Sequence, residues 1–208
     1  MARVPTTIGF DLDMTLIDPR PGMVAVMNAL GEESGLPLDG EYFAAHLGPP
    51  LDHVLRDSGA PEDRIPALVT RFRELYPDIV VASTVALPGA HQALAAVRRV
   101  GGRTLVVTGK YRPNAVRHVK ALGFDVDVLI GELWAHQKAT ALKEYGAAAY
   151  VGDHLGDVRG AQAANVVPIG VATGPCTRDE LLAAGAKVVF DTLAEFPAWL
   201  AVSGLGVP

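Results

Sequence analysis

Short apolar runs that end in polar or acidic residues recur along this chain and alternate with helix-length stretches. Residues 7–12 form a β-compatible run closing on acid, and residues 103–108 and 148–152 repeat the pattern of an apolar strand followed by a polar loop. Further strand-like pieces span 126–130, 166–171 and 187–190, separated by helix-length segments such as 113–122 and 137–145. Buried parallel strands read as continuous apolar runs, and their connections need a dozen or more residues. The pattern therefore predicts βαβ units with right-handed crossovers in an α/β protein.

Residues 21–85 break this rhythm, because they carry helix-like patterns without a comparable strand. Pro19, Pro21 and Gly22 punctuate the entrance, and Leu87-Pro88-Gly89 punctuates the exit before an Ala-rich helix at 90–99. The expectation is an α/β core built from residues 1–17 and 87–208, with a helical subdomain inserted at 18–86. Parallel sheets gather ligands beyond the carboxyl ends of their strands. Here those ends carry Asp11 and Asp13, Thr108, and Asp153 with Asp157.

Composition narrows the classes. Of 208 residues half are hydrophobic and only 6% aromatic, so the core must be built mainly from Ala, Val and Leu, as in a layered α/β or helical protein. A net charge of -5 and a pI near 5.6 argue against a general nucleic-acid surface while leaving room for a small anion at a locally cationic site. Cys176 is the single cysteine, which excludes an internal disulfide and fits a reducing compartment. No run approaches the length of a membrane span, and Asp11 and Asp13 arrive too early for a signal-peptide apolar region. The expected setting is the cytoplasm, with no membrane partner.

The first constellation is Phe10-Asp11-Leu12-Asp13-Met14-Thr15, two carboxylates one residue apart where the chain leaves a strand. A nucleophile and a proton donor can share that turn, although Asp-x-Asp-x-Thr also suits a turn with side-chain-to-backbone hydrogen bonds. The second is Gly152-Asp153-His154-Leu155-Gly156-Asp157, whose acids lie four apart. Carboxylates gathered at one mouth repel unless a hard divalent cation neutralises them, and the same residues also suit a helix N-cap followed by a first-turn acid. Thr108 and Lys138 add a hydroxyl and an ammonium able to meet phosphoryl oxygens.

Taken in this order, Asp11-x-Asp13-x-Thr15, Thr108, Lys138 and Gly152-Asp153-x-x-x-Asp157 resemble the four motifs of the haloacid-dehalogenase-like superfamily. Leu87-Pro88-Gly89 and Ala121-Leu122-Gly123 are similar to its phosphoglycolate-phosphatase-like branch. The resemblance implies a Rossmann-like core with a helical cap, joined by linkers near 18 and 86 that would form a hinge. It implies a Mg2+-dependent phosphatase acting on a small phosphorylated metabolite. Asp11 would attack phosphorus and become an aspartyl phosphate, while Asp13 would protonate the leaving alcohol and then activate water. Mg2+ would be held by Asp11, the Asp13 backbone carbonyl and Asp153, with Asp157 as ligand or support. Thr15, Thr108, Gly109 and Lys138 would surround the phosphate.

Met14 stands where the family often has Gly, Gly109 where Asn is common, and Ala139 where Pro is common. None of these removes a reactive atom. The segment His46-Leu47-Gly48-Pro49-Pro50-Leu51 resembles a substrate-facing loop of the branch and reads more simply as a helix connector. His154 is expected to be structural, because Mg2+ prefers oxygen donors. Arg20, Arg56 and Lys110 are candidate anion contacts that read more simply as solvated side chains. A phosphomutase or a haloacid dehalogenase shares the core, though the dehalogenase reaction needs neither Asp13 nor the metal carboxylates. A regulatory binding protein could keep the fold without turnover.

Overall fold

A computed structural model describes residues 5–45 and 50–205. In chain order its elements are β1 (Thr7–Phe10), β2 (Ile17–Asp18), α1 (Arg20–Ser34), α2 (Gly40–Ala45), α3 (Leu51–Asp57) and α4 (Ile65–Tyr76). A π-helical turn (Pro77–Val81), β3 (Val85–Ala86), α5 (Ala90–Arg99), β4 (Arg103–Val107), α6 (Arg112–Ala121) and β5 (Val128–Ile130) follow. The chain continues through α7 (Lys138–Glu144), β6 (Ala147–Gly152), α8 (Leu155–Ala164), β7 (Val167–Val171), α9 (Arg178–Ala183), β8 (Val188–Phe190) and α10 (Phe196–Val202). It divides into two compact units, Met1–Ile17 with Ala86–Pro208, and Asp18–Val85. At the two crossings β2 and β3 pair as a two-stranded ribbon, a detail absent from the sequence expectation.

The larger unit is a six-stranded sheet in the order β5-β4-β1-β6-β7-β8, with every adjacent pair parallel. All four residues of β1 are buried, which is what a central strand covered on both faces requires. Strand alternation sorts the core into two layers. Ile8, Phe10, Val106 and Val151 pack on one face with α5 and α10 residues such as Leu94 and Phe196. Leu105, Val107 and Tyr150 lie in the cluster on the other face with Leu142 of α7 and Ala161 of α8. From β1 the chain adds β4 and β5 on one side and β6, β7 and β8 on the other, so the order reverses at β1. In parallel sheets ligands bind beyond the strand ends where the order reverses, and Asp11 stands at that end of β1.

The expected strand at 126–130 is shorter in the structure. The Asp127 carboxylate accepts from the Thr104 backbone N–H at 2.8 Å and pairs with Arg98, so regular pairing begins only at Val128. The smaller unit is helical. Val26, Met27, Leu30, Leu55, Phe72, Tyr76 and Val80 form its core, with Phe72 edge-on to Phe43 at 6.2 Å. Gly35 closes α1 at φ 69°, a left-handed position that suits a residue without Cβ. Pro77 lacks the N–H that would continue α4, and the chain widens there into the π turn. Among the described residues no helix is long and apolar enough to cross a membrane.

Candidate active site

Asp11 follows directly on β1, and its N–H still donates to the Val151 carbonyl at 2.8 Å, so neighbouring strands fix its backbone. The chain then turns tightly. The Leu12 carbonyl accepts from the N–H groups of Leu16 and Ile17, and Met14 N–H donates to Ile17. This turn requires φ 59° at Met14, which for a side-chain-bearing residue costs on the order of 1 kcal/mol. The geometry explains why Gly is common at this position in the resembling family. Here the Thr173 hydroxyl, donating to the Met14 carbonyl at 2.5 Å, helps hold the turn.

On the neighbouring strand Gly152 ends β6, and a Cβ there would collide with the Asp157 side chain. Only glycine lets the first turn of α8 fold back so closely. His154 is the N-cap of α8: its Nδ1 accepts from Gly156 N–H at 3.0 Å, and its own N–H donates to Asp157 Oδ2 at 3.1 Å. Burial lowers its pKa, so it serves the cap as a neutral ring.

These two loops bring Asp11, Asp153 and Asp157 together, with one carboxylate oxygen from each within 4.8 Å of the others and all three buried. Lys138, first residue of α7 and 1% exposed, donates to Asp11 Oδ1 at 2.9 Å and to Asp157 Oδ1 at 2.6 Å. Burial pushes the Asp11 pKa up to about 7, with Lys138 opposing and Asp157 and Asp13 adding to the rise. Asp153 is raised well above the usual range by burial and then by Asp157 and Asp11. Desolvation alone would lower Lys138, but Asp11 and Asp157 outweigh it and hold its pKa well above normal. One ammonium therefore offsets part of the charge of three close carboxylates. Their oxygen-only donor set and residual negative charge fit a hard divalent cation such as Mg2+.

The remaining predicted residues divide. Thr15 donates its hydroxyl to Asp153 Oδ1 at 2.8 Å, so it is directed at a carboxylate of the cluster. Thr108 lies buried where β4 ends, its N–H donating to the Ile130 carbonyl and its hydroxyl accepting from the Lys110 N–H, with Gly109 between them. Asp13 pairs with Lys110, whose Nζ lies 2.6 and 2.9 Å from the two carboxylate oxygens. The reading of Lys110 as a solvated side chain is therefore corrected: its side chain is 5% exposed. Its neighbour Thr108 is the only sequence signal, since Asp13 is far away in the chain. Tyr150, whose hydroxyl accepts from Lys138 Nζ at 3.0 Å, was also missed and reads in sequence as one more apolar strand residue.

In the helical unit Arg20 pairs with Asp18, and Arg56 with Glu62. Residues 46–49 of the segment that resembles a substrate-facing loop and reads more simply as a helix connector lie outside the described residues.

Comparison with known proteins gives this arrangement its context. The family described as "Haloacid dehalogenase-like hydrolase" matches residues 8–171. A probable phosphatase, IndB, of Dickeya dadantii is 30% identical over 206 residues, covering 89% of this chain and 89% of that protein. A phosphoglycolate phosphatase of Caulobacter vibrioides is 29% identical over 211 residues, covering 92% and 89%. A solved structure of a haloacid dehalogenase-like family hydrolase from Streptococcus pneumoniae superposes with a TM-score of 0.80 at 22% identity, covering 94% of this chain and 98% of that one. That structural likeness speaks to the fold.

Proposed function

The chain belongs to the haloacid dehalogenase-like hydrolases, and from that premise we propose that it hydrolyses a small organic phosphate monoester through an aspartyl phosphate on Asp11. The observation that carries the reading is a buried carboxylate, Asp11, held by a buried ammonium beside two further convergent carboxylates. An Asp11 oxygen would attack phosphorus as the ester P–O bond breaks, and Asp13 would give a proton to the departing alkoxide. Water would then attack the phosphorus of the acyl phosphate, passing a proton to Asp13, releasing inorganic phosphate and restoring Asp11.

Asp11, Asp153 and Asp157, with the Asp13 backbone carbonyl, would hold Mg2+. The cation would supply charge neutralisation between an anionic ester and the carboxylates. Lys138 would neutralise Asp11 and place its positive charge beside the transferring oxygens, and Thr108 with Gly109 would offer hydroxyl and backbone donors to the same group. Thr15 would orient Asp153. Lys110 would fix the Asp13 carboxylate.

The phosphoglycolate phosphatases among the relatives make phosphoglycolate the first ester to test. The decisive experiment incubates the protein with Mg2+ and a panel of phosphate esters. It measures phosphate release and, after rapid acid quench, phosphate on Asp11 by peptide mass spectrometry. Mg2+-dependent release with a labelled Asp11 peptide is expected. Label returned to sugar instead of water would make it a phosphomutase, and no label with no release would overturn the reading.

A further inference from the structure

A buried lysine ammonium has three N–H donors and a strong need for three acceptors, because each donor left unmatched away from water carries a desolvation cost. Lys138 finds two of its acceptors in Asp11 and Asp157, and the third is the Tyr150 hydroxyl at 3.0 Å. With three acceptors around one nitrogen, the ammonium can no longer rotate freely. Tyr150 is itself fixed: its O–H donates to the Val107 carbonyl at 2.6 Å, so an oxygen lone pair is left to face Lys138. Burial raises the Tyr150 pKa well above the ordinary phenol value, and the group stays a neutral donor and acceptor. Val107 immediately precedes Thr108 on β4. One hydroxyl on β6 thus ties the start of α7 to the strand end that carries Thr108.

A second observation concerns space. A Cβ added at Gly9 would lie 2.8 Å from Tyr150 Cδ2 and 3.1 Å from Leu142 Cδ2. Gly9 stands two residues before Asp11 on β1, and strand alternation puts both on the face where Tyr150 and α7 pack. The missing side chain at Gly9 leaves the room in which the Tyr150 ring lies, with Lys138 Nζ 5.4 Å from the ring centroid.

We propose that Tyr150 is a positioning residue that fixes the direction of the Lys138 ammonium for phosphoryl transfer, and that Gly9 is the vacancy that admits its ring. The assignment deepens the phosphatase reading and rests on it for its catalytic consequence. Its structural half can be measured without turnover. Tyr150→Phe keeps the ring and removes only the hydroxyl.

In protein labelled with 15N at the lysine Nζ, burial should slow exchange of the Lys138 ammonium protons enough to give a signal, assigned by its loss in Lys138→Met. Tyr150→Phe is expected to speed that exchange at least about tenfold, because one of three hydrogen bonds is gone. In kinetics with 4-nitrophenyl phosphate, kcat should fall about tenfold with KM changed less than about threefold, since the ammonium is misdirected and not removed. In the Lys138→Met background the same change should leave residual turnover unaltered, because a residue acting through Lys138 has nothing left to act on. An equal fold loss in both backgrounds, or an unchanged exchange rate, overturns the proposal. If Tyr150→Phe fails to fold, Gly9→Ala carries the same exchange test with the hydroxyl retained and the ring displaced, and there too an unchanged rate overturns it. Should the wild-type protein hydrolyse no ester at all, the phosphatase reading fails, while the exchange rates still decide whether Tyr150 sets the ammonium.

Discussion

The helical unit keeps its ion pairs in water, whereas the α/β unit has surface pairs and also a buried cluster of charges. In the former, Arg71 pairs with Glu33 and Glu74 and Arg56 with Glu62, all on the surface. Among the described residues its buried side chains are apolar apart from hydroxyls such as that of Thr84, which donates to the Val80 carbonyl. The α/β unit encloses Asp11, Asp153, Asp157 and Lys138 at the end of a sheet whose core clusters are apolar. Burying charge is costly unless partners or a cation compensate, so such groups mark a site better than any surface cluster does. Folding alone explains the first unit. It does not explain why the second should crowd three carboxylates around one ammonium.

The sharpest way to break this comparison is to remove the central carboxylate. Asp11→Asn keeps the side-chain volume and should lower kcat by at least about a thousandfold, with no phosphoenzyme detected and an unchanged circular dichroism spectrum. Retained turnover in protein shown free of deamidation would mean that the buried charge is structural. A smaller loss is expected at the edge of the site. Lys110→Met should reduce kcat/KM about ten- to a hundredfold on an alkyl phosphate, whose leaving group needs a proton, and less on 4-nitrophenyl phosphate, whose leaving group does not. Equal losses on both esters would show that Lys110 does not act through Asp13.

Stability should sharpen the contrast through pH. The folded-state pKa of Asp11, about 7, lies above its ordinary value of 3.8, so between those values the folded protein holds a proton that the unfolded chain has lost. The stability tied to that proton is present at low pH and is lost as pH rises toward 7; Asp153 shifts in the same direction. In chelator the melting temperature should therefore fall from about pH 5 to about pH 8. Added Mg2+ should raise it more at the higher pH, because the metal competes with protons for the same oxygens. A Mg2+ shift of equal size at both pH values would contradict a site made of these carboxylates.

How much of this was legible in the chain depends on how far each signal is local. The run-and-acid pattern at 7–12 and 148–152 placed Asp11, Asp153 and Asp157 at strand ends, and parallel-sheet geometry then brings such ends together whatever the intervening sequence. The helices of the insert were visible as pattern without strands. The pairing of Lys110 with Asp13 was not, because it spans 97 positions and neither residue carries a mark of the other. Tyr150 was hidden differently: a tyrosine in an apolar strand looks like core, and only the placement of its hydroxyl between Lys138 and Val107 separates it from Phe. Thr15 sat within a recognised motif, yet the oxygen it serves, on Asp153, is 138 residues away. Topology was written in periodicity, while side-chain partners were written in packing.

The smallest expected effect lies in the helical unit and tests the other half of the comparison. Arg71 bridges Glu33 across 38 residues and Glu74 three residues along α4, at 2.6 and 2.9 Å. On distance alone this network looks as strong as the one around Lys138. Its members are solvent-facing, however, and water screens exposed pairs while ordering long side chains costs entropy. Arg71→Ala should therefore move the melting temperature by no more than about one degree, with that shift shrinking further in high salt, and should leave kcat/KM unchanged. A shift of many degrees that persists in salt would mean that the helical unit also depends on its charges. The distinction between the two units would then lie in what their charges do, and not in where they are kept.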